Sequence, residues 1–284
     1  MGRAAQRLHL TQPAISKTLA ELEELAGPRL FERGRQGAHL TPAGRAFLVH
    51  AIAVLEALGA ARQALAHSGM TLKRPLRVAA LPSVADDLLA SVVTSFREED
   101  SGTGIVLQTA TNTALMAMLN AGEADLALGR MSDPEMMVGL SFELLYMEPL
   151  VLAARIGHPL LRGSAITLAQ ALAYPLVVPL RGTVPRQNAE AWLATVGLKL
   201  PGNCIETMSG SLASQLTRQS DALWCTPAGA VRAAVADGSL ALAPVPPAAQ
   251  QEAVGLLRRA DAPSTPLAEK FIRLLRRHAM ARQH

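Results

Sequence analysis

The sequence contains few of the features that mark secreted, membrane or metal-binding proteins. Its two cysteines, Cys204 and Cys225, cannot form a disulfide framework, and their isolation argues against a metal-binding knuckle. No apolar run reaches the roughly 18 residues of a membrane span, because Gly, Pro, Arg or Asp interrupts each candidate. The N-terminal segment has no basic-then-apolar signal pattern. We therefore expect a soluble protein of a reducing cytoplasm, without a membrane partner or a metal site.

Motifs of catalysis and cofactor binding are also missing. The sequence has no G-x-x-x-x-G-K-[ST] phosphate loop, no G-x-G-x-x-G, no H-E-x-x-H and no G-x-S-x-G elbow. Its seven histidines are scattered, without metal-like spacing. The acidic pairs around Asp86-Asp87 and Glu98-Glu99 flank a predicted helix and favour a solvated face over acid–base chemistry. The sequence predicts neither an enzyme nor a bound cofactor.

Positive charge is concentrated near the N-terminus. The chain carries 27 Lys and Arg against 23 Asp and Glu, a net charge of +4. Residues 1–75 contain ten basic and five acidic side chains, whereas residues 76–284 contain 17 basic and 18 acidic ones. This asymmetry suggests a polyanion-binding module joined to a neutral body. A basic surface without a partner is the alternative.

The basic segment predicts a helix-turn-helix. Residues 4–10 favour a helix, Thr11 follows as an N-cap, and Pro13 suits the first turn of a second helix. An apolar stripe then follows at helical spacing, formed by Ile15, Leu19, Leu22 and Leu25. Polar residues cluster off that stripe at the start of the helix: Gln12, Ser16, Lys17 and Thr18. In such modules the second helix enters the major groove with its N-terminal residues at base edges.

A hairpin and a long helix are predicted next. Gly34 and Gly37 separate two short arms, and Arg33 and Arg35 near the tip suit phosphate contacts. A third helix begins at Thr41-Pro42 and carries heptad-spaced apolar residues that could pair two copies, among them Leu48, Ile52, Leu55, Leu58 and Leu65. The alternatives are an ordinary turn and a helix packed on its own domain.

Beyond Pro75, short apolar strands alternate with helices. This alternation predicts parallel sheets covered on both faces, arranged as two α/β lobes with a cleft between them. A long strand over 143–154 and a final helix over 266–281, capped by Ser264, are part of this prediction. Periplasmic-binding-protein folds have this plan. A solute-binding protein of a transport system is therefore the alternative function, and a transferase or deaminase on the same scaffold is a second one.

The predicted fold class is thus α/β with an N-terminal all-α winged helix-turn-helix, a long linker helix and a two-lobed effector domain. We expect the DNA-binding module at 1–42 and the linker or dimerisation helix at 43–70. Lobe I is expected to comprise 76–152 and 252–284, and lobe II to comprise 153–251.

Small hydroxyl side chains recur where the predicted strands end. Such ends gather helix N-termini, whose free N–H groups and positive dipole ends bind anions. Hydroxyls with one arginine suit a small carboxylated effector. The candidate binding residues are Ser83, Thr109, Thr111, Arg181, Thr183, Ser209 and Thr226. For each Ser or Thr taken alone, simple helix capping is the alternative.

Three N-terminal blocks resemble LysR-type transcriptional regulators: residues 4–16 with their TQPAIS stretch, residues 30–33, and residues 40–44. The resemblance implies double-stranded DNA as a partner, assembly as a homodimer or homotetramer, and contact with RNA polymerase. It places Gln12, Pro13, Ser16 and Lys17 on DNA, with Thr11 beside them and Arg33 and Arg35 in the wing. It also makes Ser83 and Thr109 the strongest effector contacts. The family has a further helix upstream, which this sequence lacks.

The segment 217–224 and the stretch 254–257 look like the branch that includes regulators of protocatechuate and related aromatic-acid catabolism. The resemblance implies a ring-cleavage acid, such as a carboxymuconate, as effector. Trp224 within this segment is expected in the core rather than stacked on a ligand.

Overall fold

The computed structural model describes residues 11–34, 37–48, 50–51, 54, 74–163, 165–246, 248 and 251–282. The chain forms two compact units, Met1–Thr71 and Leu72–His284. Several predictions lie outside the described residues: the helix at 4–10, the wing residue Arg35, and the dimerisation positions Ile52, Leu55, Leu58 and Leu65.

The N-terminal unit contains the predicted second helix. Helix α1 (Gln12–Ala26) begins at Thr11, whose Oγ1 accepts a hydrogen bond from the Ala14 N–H at 3.4 Å. Pro13 lies in the first turn, where its missing N–H costs no helical hydrogen bond. The helix ends at Gly27, whose φ of 88° favours glycine. The cap and helix predicted around Thr11 are confirmed.

A hairpin and the start of the next helix follow. Strands β1 (Phe31–Gly34) and β2 (Gly37–Leu40) pair antiparallel, as predicted. The Glu23 carboxylate accepts from the backbone N–H groups of Leu30 and Phe31 at 2.7 and 2.9 Å, which ties the hairpin to α1. Helix α2 is described over 42–48, and the Thr41 hydroxyl accepts from the Gly44 N–H at 2.9 Å. These contacts define the winged shape of the unit.

The second unit contains nine strands, seven α-helices and two 3-10 helices (Pro134–Met137 and Pro159–Arg162) among its described residues. The strands are β3 (Leu76–Ala80), β4 (Ile105–Thr109), β5 (Leu126–Arg130), β6 (Leu140–Arg155), β7 (Leu176–Val178), β8 (Ile205–Glu206), β9 (Leu223–Pro227), β10 (Leu240–Leu242) and β11 (Gln251–Arg259). Helix α3 runs through Pro82–Val84, a π-helical segment Ala85–Leu89 and Ala90–Glu99; the others are α4 (Asn112–Asn120), α5 (Leu168–Ala171), α6 (Val184–Ala194), α7 (Gly210–Gln219), α8 (Gly229–Ala236) and α9 (Pro266–Met280).

Two long strands connect the lobes. The strands lie in the order β4-β3-β5-β11-β6-β9-β7-β8, and β10 pairs with β6. β6 pairs with β11 as far as Pro149 and with β9 from Leu150, so it passes from one lobe into the other. β3 pairs parallel with β4 and β5, and β7 pairs parallel with β8 and β9. The predicted parallel pairing is therefore confirmed within each lobe. The long strands β6 and β11 differ from the prediction, because they run antiparallel to their neighbours.

The final helix closes the core of lobe I. Phe271 on α9 is fully buried and packs against Phe96 of α3, with ring centroids 5.5 Å apart. The cap of α9 is Thr265, whose Oγ1 accepts from the Ala268 N–H at 3.2 Å, and not Ser264 as predicted. Thr265 directly precedes Pro266 at the first helical position, which leaves the cap one residue later than the sequence suggests. Within the described residues, no helix has the length and apolar character needed to cross a membrane.

We expect Phe271→Ala to lower the free energy of unfolding by about 3–5 kcal/mol, because it removes a buried ring and leaves a cavity. Met280→Ala on the same helix is the matched control: its side chain is 63% exposed, so the change should stay within about 0.5 kcal/mol. Urea unfolding followed by circular dichroism measures both. Equal losses in the two variants would contradict the assignment of α9 to the core.

Candidate functional site

A cleft of about 510 Å³ lies between the two lobes. Residues of α3, β5 and the N-terminus of α4 line it from lobe I, and the N-termini of α6 and α7 and strand β9 line it from lobe II. Its wall combines apolar groups, including Met131, Met136, Met208 and Trp224, with many hydroxyl and amide side chains. A cavity of this size and mixed lining suits a small organic molecule.

Three helix N-termini open on this cleft. Thr111, Thr183 and Ser209 are the N-caps of α4, α6 and α7, and their hydroxyls accept from first-turn N–H groups at 3.3, 3.4 and 3.2 Å. The capping role considered from the sequence is therefore real for all three. It does not exclude a ligand contact, because the Thr111 hydroxyl can still donate and the helix dipoles still favour an anion. The Thr183 hydroxyl already donates to the Leu180 carbonyl at 2.7 Å.

Ser83 and Thr226 face the cleft without a capping role. Ser83 lies in the first turn of α3, and Thr226 on β9 is only 4% exposed. Across the described part of the chain, neither hydroxyl has a hydrogen-bond partner. A buried hydroxyl that lacks a protein partner is a group that a ligand can satisfy.

The structure does not bring Thr109 and Arg181 to the cleft. Thr109 is the exposed last residue of β4, the edge strand of lobe I, whereas Thr111, two residues later, reaches the lining. The Arg181 Nε donates to Glu206 Oε1 at 3.1 Å on the outer surface of lobe II. Of the predicted effector residues, the cleft therefore gathers Ser83, Thr111, Thr183, Ser209 and Thr226.

The floor of the cleft contains an arginine that the sequence analysis missed. Arg130 ends β5 and is 2% exposed. Its Nη2 donates to Glu148 Oε2 at 2.7 Å, and its Nε faces the carboxylate of Glu252. Asn112 holds the Arg130 backbone from both sides, at 2.9 Å to its N–H and 2.8 Å to its carbonyl. The signal in the sequence was a basic residue two positions after the apolar run Leu126–Leu128.

The two glutamates connect Arg130 to lobe II. Glu148 on β6 accepts from the Gly229 N–H at the start of α8, at 2.8 Å, and Glu252 on β11 accepts from Asn188 Nδ2 at 3.0 Å. Burial raises the pKa of both carboxyls, and the Arg130 charge opposes that rise. Arg130, Glu148 and Glu252, here named the buried triad, thus lie where the lobes meet.

A second ion pair spans the lobes beside the triad. The Asp87 side chain is 2% exposed and contacts Arg232 of α8 at 2.9 Å and Arg282 at 3.5 Å. The prediction of a solvated face is wrong for Asp87, because its carboxylate is buried against these two arginines. The same prediction is confirmed for Asp86, whose side chain is exposed and lines the cleft. Trp224 is 6% exposed, in the core as expected, and also forms part of the cleft wall.

The predicted DNA-facing residues lie at the start of α1. Thr11, Gln12, Pro13 and Lys17 are exposed and Ser16 is half-buried, while Ile15 is buried. Lys17 Nζ lies 3.8 Å from Glu21 Oε1 in a solvated pair. Arg33 lies in β1 of the wing. Leu48 on α2 is 44% exposed, an apolar side chain available for a partner.

Models of two protein families match this chain along its length. The model "Bacterial regulatory helix-turn-helix protein, lysR family" matches residues 1–45, and "LysR substrate binding domain" matches residues 71–280. This chain is a LysR-family transcriptional regulator. The predicted family is confirmed, and the transport and enzyme alternatives are not favoured, because LysR regulators are a non-enzymatic family of DNA-binding proteins.

Similar proteins of known sequence are named as transcriptional regulators of the helix-turn-helix type. The uncharacterised HTH-type transcriptional regulator YdcI of Escherichia coli K12 is 46% identical over 92% of this chain and 85% of its own length. The HTH-type transcriptional regulator PcaQ of Agrobacterium fabrum is 37% identical, over 93% and 86%.

Solved structures show the same fold. Full-length OxyR of Pseudomonas aeruginosa, in a variant with one cysteine replaced by aspartate, is 23% identical and superposes with a TM-score of 0.66 over 99% of this chain and 91% of that one. CbnR in complex with its target DNA is 24% identical, with a TM-score of 0.56 over 98% and 93%. The predicted combination of an N-terminal helix-turn-helix and a two-lobed effector domain is confirmed.

For this LysR regulator we expect Arg130→Met to lower the free energy of unfolding by about 3–5 kcal/mol, because it leaves two buried carboxylates without a counter-charge. Arg155→Met, which breaks a half-exposed pair with Asp221, is the control and should cost no more than about 1 kcal/mol. Urea unfolding measures both.

The Arg130→Met deficit should depend on pH. A carboxyl whose folded pKa is raised destabilises the fold when ionised, so the deficit is largest above the raised pKa values. It shrinks as the pH falls towards the ordinary Glu value of about 4.3. A deficit that grows on acidification would contradict ionised carboxylates at these positions.

Proposed function

We propose that this transcriptional regulator senses a small carboxylated effector in the interlobe cleft and alters its binding to DNA in response. The observation that carries the proposal is the convergence of three helix N-termini and the free hydroxyls of Ser83 and Thr226 on one cavity. Such a set of donors suits a carboxylate. The effector can shift the DNA-binding state only through different affinities for two arrangements of the protein.

The proposed DNA contacts are those of α1 and the wing. Gln12, Pro13 and Ser16, with Thr11 beside them, would face the major groove. Lys17 on the same helix would contact a phosphate, and Arg33 and Arg35 would contact phosphates from the wing. A pair of such modules suits a two-fold operator. We assign the pairing to the apolar stripe that begins at Leu48 and continues through Ile52, Leu55, Leu58 and Leu65, in a homodimer or homotetramer that works with RNA polymerase in the cytoplasm.

The likeness to PcaQ supports an acid from aromatic catabolism as the effector class. The methionines and Trp224 in the cleft wall supply the apolar surface that a ring or a ring-cleavage product would need. These groups leave the polar donors to recognise the carboxylate.

We expect Lys17→Ala to weaken binding both to the DNA upstream of the protein's own gene and to unrelated DNA, because one phosphate contact is lost. The slope of log binding constant against log salt concentration should decrease in magnitude by about 1. Fluorescence anisotropy of the full-length protein at several salt concentrations measures this. Lys199→Ala, an exposed lysine of the second unit, is the matched control and should leave affinity and slope unchanged. Salt-insensitive binding by the wild type would overturn the DNA-binding proposal.

We also expect small carboxylates to raise the melting temperature, because a ligand of the folded state stabilises it. Ser83→Ala and Thr226→Val should each weaken the binding of an active acid by about three- to tenfold, the worth of one hydrogen bond. Thr109→Val lies outside the cleft and is the control. Binding that responds to Thr109→Val but to neither cleft variant would place the effector elsewhere.

A further inference from the structure

The charges around the cleft do not match a doubly negative ligand. Among the described lining residues, Arg130 is the one cationic side chain, and the carboxylates of Glu148 and Glu252 already surround it. Two further carboxylates, Asp86 and Asp133, belong to the lining itself. The formal charge of these five groups together is negative. The helix N-termini are the remaining source of positive potential, with about half an elementary charge each.

Asp86 reaches across the cleft. A methyl group placed on the Gly210 Cα, at the start of α7, would lie 3.5 Å from Asp86 Oδ2 and 3.9 Å from Trp224 Cη2. The carboxylate of lobe I therefore lies beside the N-terminus of α7 in lobe II, and the Trp224 indole also approaches that N-terminus. Across the described part of the chain, no side chain donates a hydrogen bond to the Asp86 carboxylate or forms an ion pair with it. Partial burial raises the pKa of Asp86, which is the effect of desolvation without a compensating cation.

The other donors of the cleft remain open to an anion. At the N-terminus of α4, the Thr111 hydroxyl accepts from the Ala114 N–H and donates to no protein group among the described residues. Thr226 adds a buried hydroxyl without a protein partner among the described residues. One carboxylate can be satisfied by these groups. A second one would meet Asp86 at the N-terminus of α7, where like charges repel.

We propose that the effector is a zwitterion, an acid with one carboxylate and one protonated amine, and that Asp86 binds the amine. The carboxylate takes the donors of α4, α6 and Thr226, and the ammonium group gives Asp86 the counter-charge that the protein does not supply. This inference rests on the proposed effector cleft and names its ligand class. It disfavours the dicarboxylates that a ring-cleavage pathway would produce.

Three probes of one shape test the inference with the full-length protein. They are 4-(aminomethyl)benzoate, 4-methylbenzoate and terephthalate, which carry an ammonium, a methyl or a second carboxylate at the same ring position. The aliphatic set 6-aminohexanoate, hexanoate and adipate repeats the comparison on a flexible chain. Isothermal titration should rank the zwitterion of at least one set tightest, by about tenfold over its methyl analogue, as expected for a charge-assisted hydrogen bond.

Asp86→Asn should abolish that preference and leave the binding of the mono-acid within about twofold, because the amide keeps the shape and removes the charge. Asp261→Asn, an exposed aspartate outside the cleft in the segment after β11, is the matched control and should preserve the preference. Circular dichroism melting verifies that both variants fold.

Other outcomes overturn the inference in distinguishable ways. Tightest binding by a mono-acid or a dicarboxylate, or a zwitterion preference that survives Asp86→Asn, refutes the ligand class but leaves the carboxylate cleft intact. If no acid of either set binds while other carboxylates raise the melting temperature, the zwitterion assignment fails alone. If no carboxylate has any effect, the proposed effector cleft fails with it.

Discussion

Arg130 is a buried cation between two buried carboxylates, and the junction of the lobes is organised around it. Its partners lie on β6 and β11, the two strands that connect the lobes. Glu148 in turn caps the N-terminus of α8, and Glu252 accepts from Asn188 on α6. Taking charges out of water is costly unless each is paired and hydrogen-bonded. The triad therefore favours one relative arrangement of β5, β6, β11 and the helices of lobe II.

Close packing around the triad also shapes the cleft. A side chain at Gly229 would meet Glu148 Oε1 at 2.5 Å, and one at Gly129 would meet Asn112 Oδ1 at 2.6 Å. Glycine at these two positions allows α8 to approach β6 and allows Asn112 to form its two hydrogen bonds with the Arg130 backbone. The start of α4 is thereby drawn to the end of β5, which brings the Thr111 cap to the same opening as Ser83. The geometry of the binding site thus follows from the way the lobes are joined.

Local sequence signals predicted most helices and turns, because capping, backbone preference and apolar spacing act between residues that are close in sequence. The cap at Thr11, the proline after it and the apolar stripe through Ile15 identify α1 without tertiary information. The turn glycines likewise predicted the hairpin, whose strands pair antiparallel as expected. The errors were of another kind. The antiparallel course of β6 and β11 depends on which strands become neighbours in the sheet.

The sequence by itself determined the class of protein: a basic winged module, a two-lobed body and hydroxyl side chains at strand ends are all readable from residue type and spacing. Only the tertiary structure decided which of those hydroxyls share a cleft, admitting Thr111 and Thr226 and leaving Thr109 at an edge. It also revealed Arg130, whose partners are distant in sequence, and brought Asp86 beside the N-terminus of α7. The physical reason is that charge and hydrogen-bond partners in a folded chain are set by strand order and lobe packing, which no short stretch of residues encodes.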